Sequence, residues 1–171
     1  FEDQRVLASG YNQIANVYHT TGDYSLAIEN AKRSLGYYKS LGNMQYGAFC
    51  MIVLADAYTQ VGMFSESVKH LEPAQEILEE FNNLFLLGKV DVLYGIKYFN
   101  EGNYEKAVSY YEKGIDKMQL DESRKWVLHY SFEIIHVLFY QKEYEKALKY
   151  IKRCKLLLKK TTVTDKKDEK L

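Results

Sequence analysis

Four segments of this 171-residue chain fall into one register when displaced by 40 residues: TTGDYSLAIENA from Thr20, QVGMFSESVKHL from Gln60, NEGNYEKAVSYY from Asn100 and YQKEYEKALKYI from Tyr140. Gly22, Gly62 and Gly102 coincide, and Lys142 takes the fourth place. Two residues on stand Tyr24, Phe64, Tyr104 and Tyr144; three further stand Ala27, Ser67, Ala107 and Ala147. A fixed period in this range means stacked supersecondary units, each too thin to bury its own apolar face. Such an architecture is built for binding.

Each unit reads as two antiparallel helices. The first ends near the glycine, where a left-handed cap needs a residue free of a Cβ penalty. The spacing predicts first helices over about 4–21, 44–61, 84–101 and 123–141, and second helices over about 24–41, 64–81, 104–119 and 144–160. The repeats then span about 4–43, 44–83, 84–122 and 123–160 of one domain over 1–171. Asn43, Asn83 and Ser123 stand where they would cap the incoming helix. In the third second-helix, Tyr104, Ala107, Val108, Tyr111 and Ile115 form one stripe opposite Glu105, Lys106, Glu112 and Lys113. Pro73, the only proline, falls inside the second helix of repeat two and is expected to bend it. Residues 161–171 lack an apolar stripe, but Val163 is in register with Asn43 and Asn83, which predicts the start of a further repeat or a frayed tail. Because Phe1 is in register with Leu41 and Phe81, the chain reads as a fragment of a larger protein.

Charge excludes one class of partner. Twenty-three basic residues balance 23 acidic ones, so no cationic excess exists to neutralise phosphates, and nucleic acid is not an expected partner. Apolar runs are too short to cross a bilayer, so no membrane insertion is expected. The 16 tyrosines are numerous enough to fill grooves between helices, with their hydroxyls wet or hydrogen-bonded. Cys50 and Cys154 lie two and a half repeats apart, on the order of tens of ångströms in a stack, which disfavours a disulfide between them. Both sit in apolar helical contexts and read as buried structural thiols. A reducing compartment, the cytoplasm, fits them; an extracytoplasmic sensor domain is the other placement.

No catalytic or metal constellation emerges. His19, His70, His129 and His136 are scattered, with no cysteine or carboxylate at ligand spacing, so neither a metal nor a cofactor is expected. No glycine-rich phosphate loop and no nucleophile signature is present. Trp126 reads as a core or groove wall. The run from Lys152 to Lys160 reads as a solvated basic face over an apolar stripe rather than a membrane-surface helix. Catalysis is not expected from this segment.

At this point the residues carry a family pattern. The array resembles the tetratricopeptide repeat, whose first helix bears a small residue and then an aromatic, followed by a turn glycine, an aromatic opening the second helix, and alanine. Here the small residue is Ala15, Ala55 and Gly95, and the aromatic is Tyr18, Tyr58 and Tyr98. Repeat four departs, with Ile135, Leu138 and Lys142. The 40-residue period exceeds the common 34 by six, which implies longer helices and is similar to the extended repeats of bacterial signalling regulators and some eukaryotic scaffold proteins. The resemblance implies an all-α fold, a right-handed α-solenoid of about four antiparallel helix pairs.

It also implies that the first helices line a concave surface. Counted back from the turn, one column there is Asn16, Asp56, Ile96 and His136; another is Asn12, Ile52, Val92 and Phe132. A third is Gln13, Val53, Leu93 and Glu133, and a fourth His19, Thr59, Phe99 and Phe139. Asn12 and Asn16 would hold a peptide backbone, while Phe99, Phe132 and Phe139 accept apolar side chains. The basic clamp with which some family members grip a carboxyl-terminal tail is missing, since Asn12, Ile52 and Gln13 stand in its place. The expected function is a protein- or peptide-interaction module, sensor or scaffold, of a bacterial signalling or regulatory protein. The alternative is a structural assembly module, whose apolar wall mediates homodimerisation or docking of an attached output domain.

Overall fold

The computed structural model describes the backbone of residues 2–120 and 124–168 and the side chains of 3–118, 125–156 and 158. The elements are α1 (Glu2–Thr21), α2 (Tyr24–Ser40), α3 (Met44–Gln60), α4 (Phe64–Glu80), α5 (Leu84–Asn100), α6 (Tyr104–Leu120), α7 (Arg124–Tyr140) and α8 (Tyr144–Asp168). The described residues form helices and short turns only, the all-α helix-pair solenoid that the period predicts.

The helix-to-helix turns inside each repeat share one mechanism. Gly22, Gly62, Gly102 and Lys142 take φ of 86°, 76°, 75° and 61°. In each, two amides bond back onto the helix just ended: Gly22 N–H to the His19 carbonyl at 3.2 Å and Asp23 N–H to the Tyr18 carbonyl at 2.9 Å, with the same pair at the other three turns. This Schellman closure satisfies carbonyls that the helix end would leave orphaned. Between repeats, Asn43 accepts the Tyr46 amide at 3.4 Å and Asn83 accepts the Leu86 amide at 3.1 Å, the side-chain caps that the sequence predicts. Ser123, the third expected cap, lies outside the described residues.

Two compact units divide the chain, residues 1–93 and 94–171, with the boundary inside α5. In the first, α1 packs on α2, α2 on α3 and α3 on α4, and α1 also meets α3. The small residues Ala8, Ala15, Ala27, Ala48, Ala55 and Ala57 are wholly buried there and let the backbones approach closely. In the second, α6 packs on α7 and α7 on α8, around Tyr111, Ile115, Met118, Ile134 and Val137.

Pro73 sits inside α4, which runs on past it to Glu80. Residues 161–168 do not begin a new helix after a turn but continue α8 without a break. The left-handed residue between repeats is Gly42 at φ 65° and Asn82 at φ 50°. Two periods beyond Asn82 the same place holds Thr162, whose β-branched side chain opposes positive φ, so the helix has no stop signal there.

Candidate functional site

Unit one gathers a polar cluster on its first helices. Asp56 of α3 lies at the centre, its side chain 32% exposed, with His19 Nε2 of α1 3.2 Å from Oδ2. That nitrogen is at ion-pair distance but makes no well-directed hydrogen bond. Gln60 Nε2 donates to Asp56 Oδ1 at 3.1 Å from one turn away. Burial alone would push the Asp56 carboxyl up; His19, Gln60 and the Lys89 ammonium together outweigh it and hold the group below its ordinary value. Burial in turn lowers the Lys89 ammonium, with Asp56 opposing. The carboxylate is therefore a fixed anion with one edge in water.

The two asparagines, Asn16 and Asn12, lie on α1 about one and two turns before His19. Asn16 donates Nδ2 to the Asn12 carbonyl at 2.9 Å, one turn back on α1. Behind Asn12 lies a buried relay. Ser34 of α2 donates to the Ala8 carbonyl at 2.7 Å and lies 3.2 Å from Cys50 Sγ; Cys50 lies 3.5 Å from Asn12 Oδ1. With the Ser34 proton committed to Ala8, the single thiol proton of Cys50 goes to Asn12 Oδ1, and Ser34 Oγ and Cys50 Sγ remain in polar contact. Burial pushes that thiol up to about 11, the Ser34 hydrogen bond opposing, so it keeps its proton. The outcome is an Asn12 amide whose oxygen is held inward.

Unit two gathers aromatic rings instead. Phe99 lies 5.8 Å from the His136 ring, 5.6 Å from Tyr104 and 6.3 Å from Tyr140. Phe139 meets Tyr144 edge-on at 5.4 Å. Phe132 and Phe139 remain 59% and 62% exposed, unusual for large apolar side chains. His136 is exposed, and Ile96 is half-buried.

Of the inner columns expected from the sequence, Asn12, Asn16, His19, Asp56, Ile96 and Phe99 are partly exposed, and Phe132, His136 and Phe139 are exposed. Ile52 and Val92 are buried, as are Val53, Leu93 and Thr59. These side chains are core, so they cannot meet a visitor in this conformation. Lys89, Gln60 and the Ser34–Cys50 pair escaped the sequence reading. Lys89 could have been found by extending the columns one turn, to Ser9, Phe49, Lys89 and His129. The Ser34–Cys50 contact leaves no local signal.

Comparison with known proteins places the chain. Tetratricopeptide-repeat family descriptions match residues 6–80 and 94–116. The chain belongs to the tetratricopeptide-repeat family. It is 21% identical over 139 residues to Regulatory protein RapG of Bacillus subtilis, covering 81% of this chain and 38% of RapG. A shorter match, 43% identical over 47 residues, is to histidinol-phosphate aminotransferase of Campylobacter jejuni, 28% of this chain and 13% of that protein. Among solved structures, a Rap protein complexed with Competence and Sporulation Factor superposes with a TM-score of 0.84 at 18% identity, over 92% of this chain and 44% of the other. Aspartyl phosphate phosphatase F from Bacillus subtilis superposes with a TM-score of 0.84 at 15% identity, over 95% of this chain and 43% of the other. The chain thus spans less than half the length of these relatives, and at such identities the structural likeness is one of fold. Among the described residues, no group of three histidine, cysteine or acidic side chains could hold a metal, and no helix is long and apolar enough to cross a membrane. The tetratricopeptide-repeat fold is one that implies protein–protein interaction.

Proposed function

We propose that this chain is the ligand-sensing interaction module of a regulatory protein, recognising a peptide or protein segment through its first-helix faces and acting by binding rather than catalysis. The observation that carries this reading is the Asp56 cluster. A carboxylate held ionised and only partly covered is a costly arrangement for a helix face with no recognition role. Asn12 and Asn16 suit the carbonyls and amides of an extended backbone, and Asp56 suits a cationic group. Phe99, His136 and the exposed Phe132 and Phe139 give the second unit an apolar face of the kind that marks interaction surfaces. Ile52 and Val92, being buried, are left out of the contact set. The superposed Rap protein, solved with Competence and Sporulation Factor, lends the reading support by analogy of fold.

A selection of random peptides against the chain tests it. Recovered sequences should lose about tenfold or more in affinity on Asp56→Asn or Asn16→Ala, the size of a charged or neutral hydrogen bond removed. Selected peptides indifferent to both substitutions would sink the reading. Exposed Phe132 and Phe139 also suit a second copy of the chain, the assembly alternative. Light scattering decides: a concentration-dependent dimer abolished by Phe132→Glu assigns the aromatic face to self-association.

A further inference from the structure

Repeat four lacks a ring that its neighbours have. Leu138 stands where Tyr18, Tyr58 and Tyr98 stand. In unit one the Tyr58 ring stacks on His70 at 5.8 Å and 4°, with Lys32 Nζ 5.6 Å from its centroid. In unit two the Tyr98 ring stacks on Tyr110 at 5.2 Å and 26°, with Lys106 Nζ 5.0 Å from its centroid. The same protein thus shows twice what occupies this position: an aromatic ring between a flat partner and an ammonium group.

The cradle survives in repeat four although the ring does not. Tyr150 is in register with His70 and Tyr110, and Lys146 with Lys106. The position of Lys32 is taken by Glu112, which accepts the Tyr150 hydroxyl and so fixes the ring of that tyrosine. A cavity of about 420 Å3 opens there between α6, α7 and α8, floored by Val108 and Leu138 and walled by Tyr150 and Lys146. Its volume lies in the range of small-molecule sites, roughly 300–1,000 Å3, and an apolar void of about 150 Å3 already holds a benzene ring. Two further cations stand on the rim. Lys149 has no ion-pair partner among the described residues, and Arg153 has only a loose contact with Asp116 at 3.7 Å.

We propose that this cavity is a binding site for an aromatic ring that carries, or lies beside, an anionic group. The ring takes the place left by the missing tyrosine, stacked on Tyr150 beneath the Lys146 ammonium, and the anion meets Lys149 and Arg153. Two sources share this chemistry: a free aromatic acid, and an aromatic side chain next to an acidic residue in a protein segment. The lining includes none of the residues proposed above, and the inference stands independently of them.

Three probes test it on the whole chain by calorimetry and saturation-transfer NMR: 4-hydroxyphenylacetate, cyclohexylacetate and the blocked peptide acetyl-Asp-Tyr-Glu-amide. The aromatic acid should bind about fivefold more tightly than its saturated counterpart, and Lys146→Met, at an exposed position, should erase that preference. Leu138→Tyr restores the internal ring and should abolish uptake of all three while leaving the circular dichroism unchanged. A tighter peptide assigns the site to a protein segment; a tighter free acid assigns it to a small molecule. Absence of binding by both aromatic probes at millimolar concentration, or binding unchanged in both Lys146→Met and a folded Leu138→Tyr, would overturn the proposal.

Discussion

The ring of Tyr111 occupies the space that a Cβ on Gly95 would need: Cδ1 would lie 2.8 Å from it and Cε1 2.9 Å. The register explains the pairing. Residues 15, 55, 95 and 135 share one place in the repeat, and 31, 71, 111 and 151 another; the pairs read Ala with Ala, Ala with Leu, Gly with Tyr, Ile with Ile. Only where the second member is a tyrosine does the first shrink to glycine. Tyr111 is 2% exposed and has nowhere to retreat. Gly95→Ala should therefore destabilise the fold by about 1–3 kcal/mol through overpacking, despite the higher helix propensity of alanine. Urea unfolding followed by circular dichroism measures this, and Gly95→Ala with Tyr111→Leu should recover most of the loss.

Lys142 pays a backbone penalty that its three register mates avoid. Its φ of 61° is left-handed, as at Gly22, Gly62 and Gly102. A Cβ at those glycines would meet nothing within 4 Å, so conformation alone decides the cost. Lys142→Gly should stabilise the protein by about 1 kcal/mol and Gly62→Ala should destabilise it by a similar amount. Opposite shifts in the urea midpoint, with unchanged slope, are the expected pair of results.

Both thiols should be silent in the folded protein. Cys50 is wholly buried and Cys154 is 4% exposed. Burial lifts the Cys50 thiol to about 11, so even an opened crevice would offer little thiolate at neutral pH. A Cys154→Ala protein should leave Ellman's reagent unreacted for as long as it stays folded and release one equivalent of colour on unfolding. Ser34→Ala, which removes the hydroxyl beside the thiol and deprives the Ala8 carbonyl of a donor, should cost about 1–2 kcal/mol and speed the reaction in proportion.

The repeat period made the elements legible because each boundary has a local chemical cause. The predicted second-helix starts at 24, 64, 104 and 144 are those observed at Tyr24, Phe64, Tyr104 and Tyr144, set by the left-handed turn two residues before. The inner face was less legible, and α3 shows why. Eleven of its 17 residues, from Gly47 to Thr59, are buried. A helix that is apolar all round has no stripe from which to read orientation. Counting columns from α1, which has polar residues at 12, 13 and 16, assumed that the face open there stays open in α3 and α5. Ile52 and Val92 obey the all-round apolar signal instead. Equally hidden was the Ser34–Cys50–Asn12 relay, whose members lie on three helices and meet only after packing.

Asp56 gives the site a pH signature. Its carboxyl sits below the ordinary carboxylate value of 3.8, the opposing pull of burial being outweighed by His19, Gln60 and Lys89. A group whose folded value is depressed binds its proton more readily in the unfolded chain, so its stabilisation is complete above the ordinary value and fades as pH falls through the folded one. At pH 6 Asp56→Asn should therefore be less stable than the parent, by a modest amount because a third of the side chain meets solvent and screens the charges. Below the ordinary value the gap should narrow as pH falls, since the parent's charge-borne stabilisation fades as its folded carboxyl takes up a proton. Lys89→Met should shrink the gap at pH 6, because one of the cations that favour the carboxylate is gone. Urea titrations of the three proteins at pH 6 and pH 3 read these differences directly. A gap that persisted undiminished at pH 3 would mean that Asp56 acts through its shape and hydrogen bonds rather than through its charge, and a cationic ligand group would then have no fixed anion to meet.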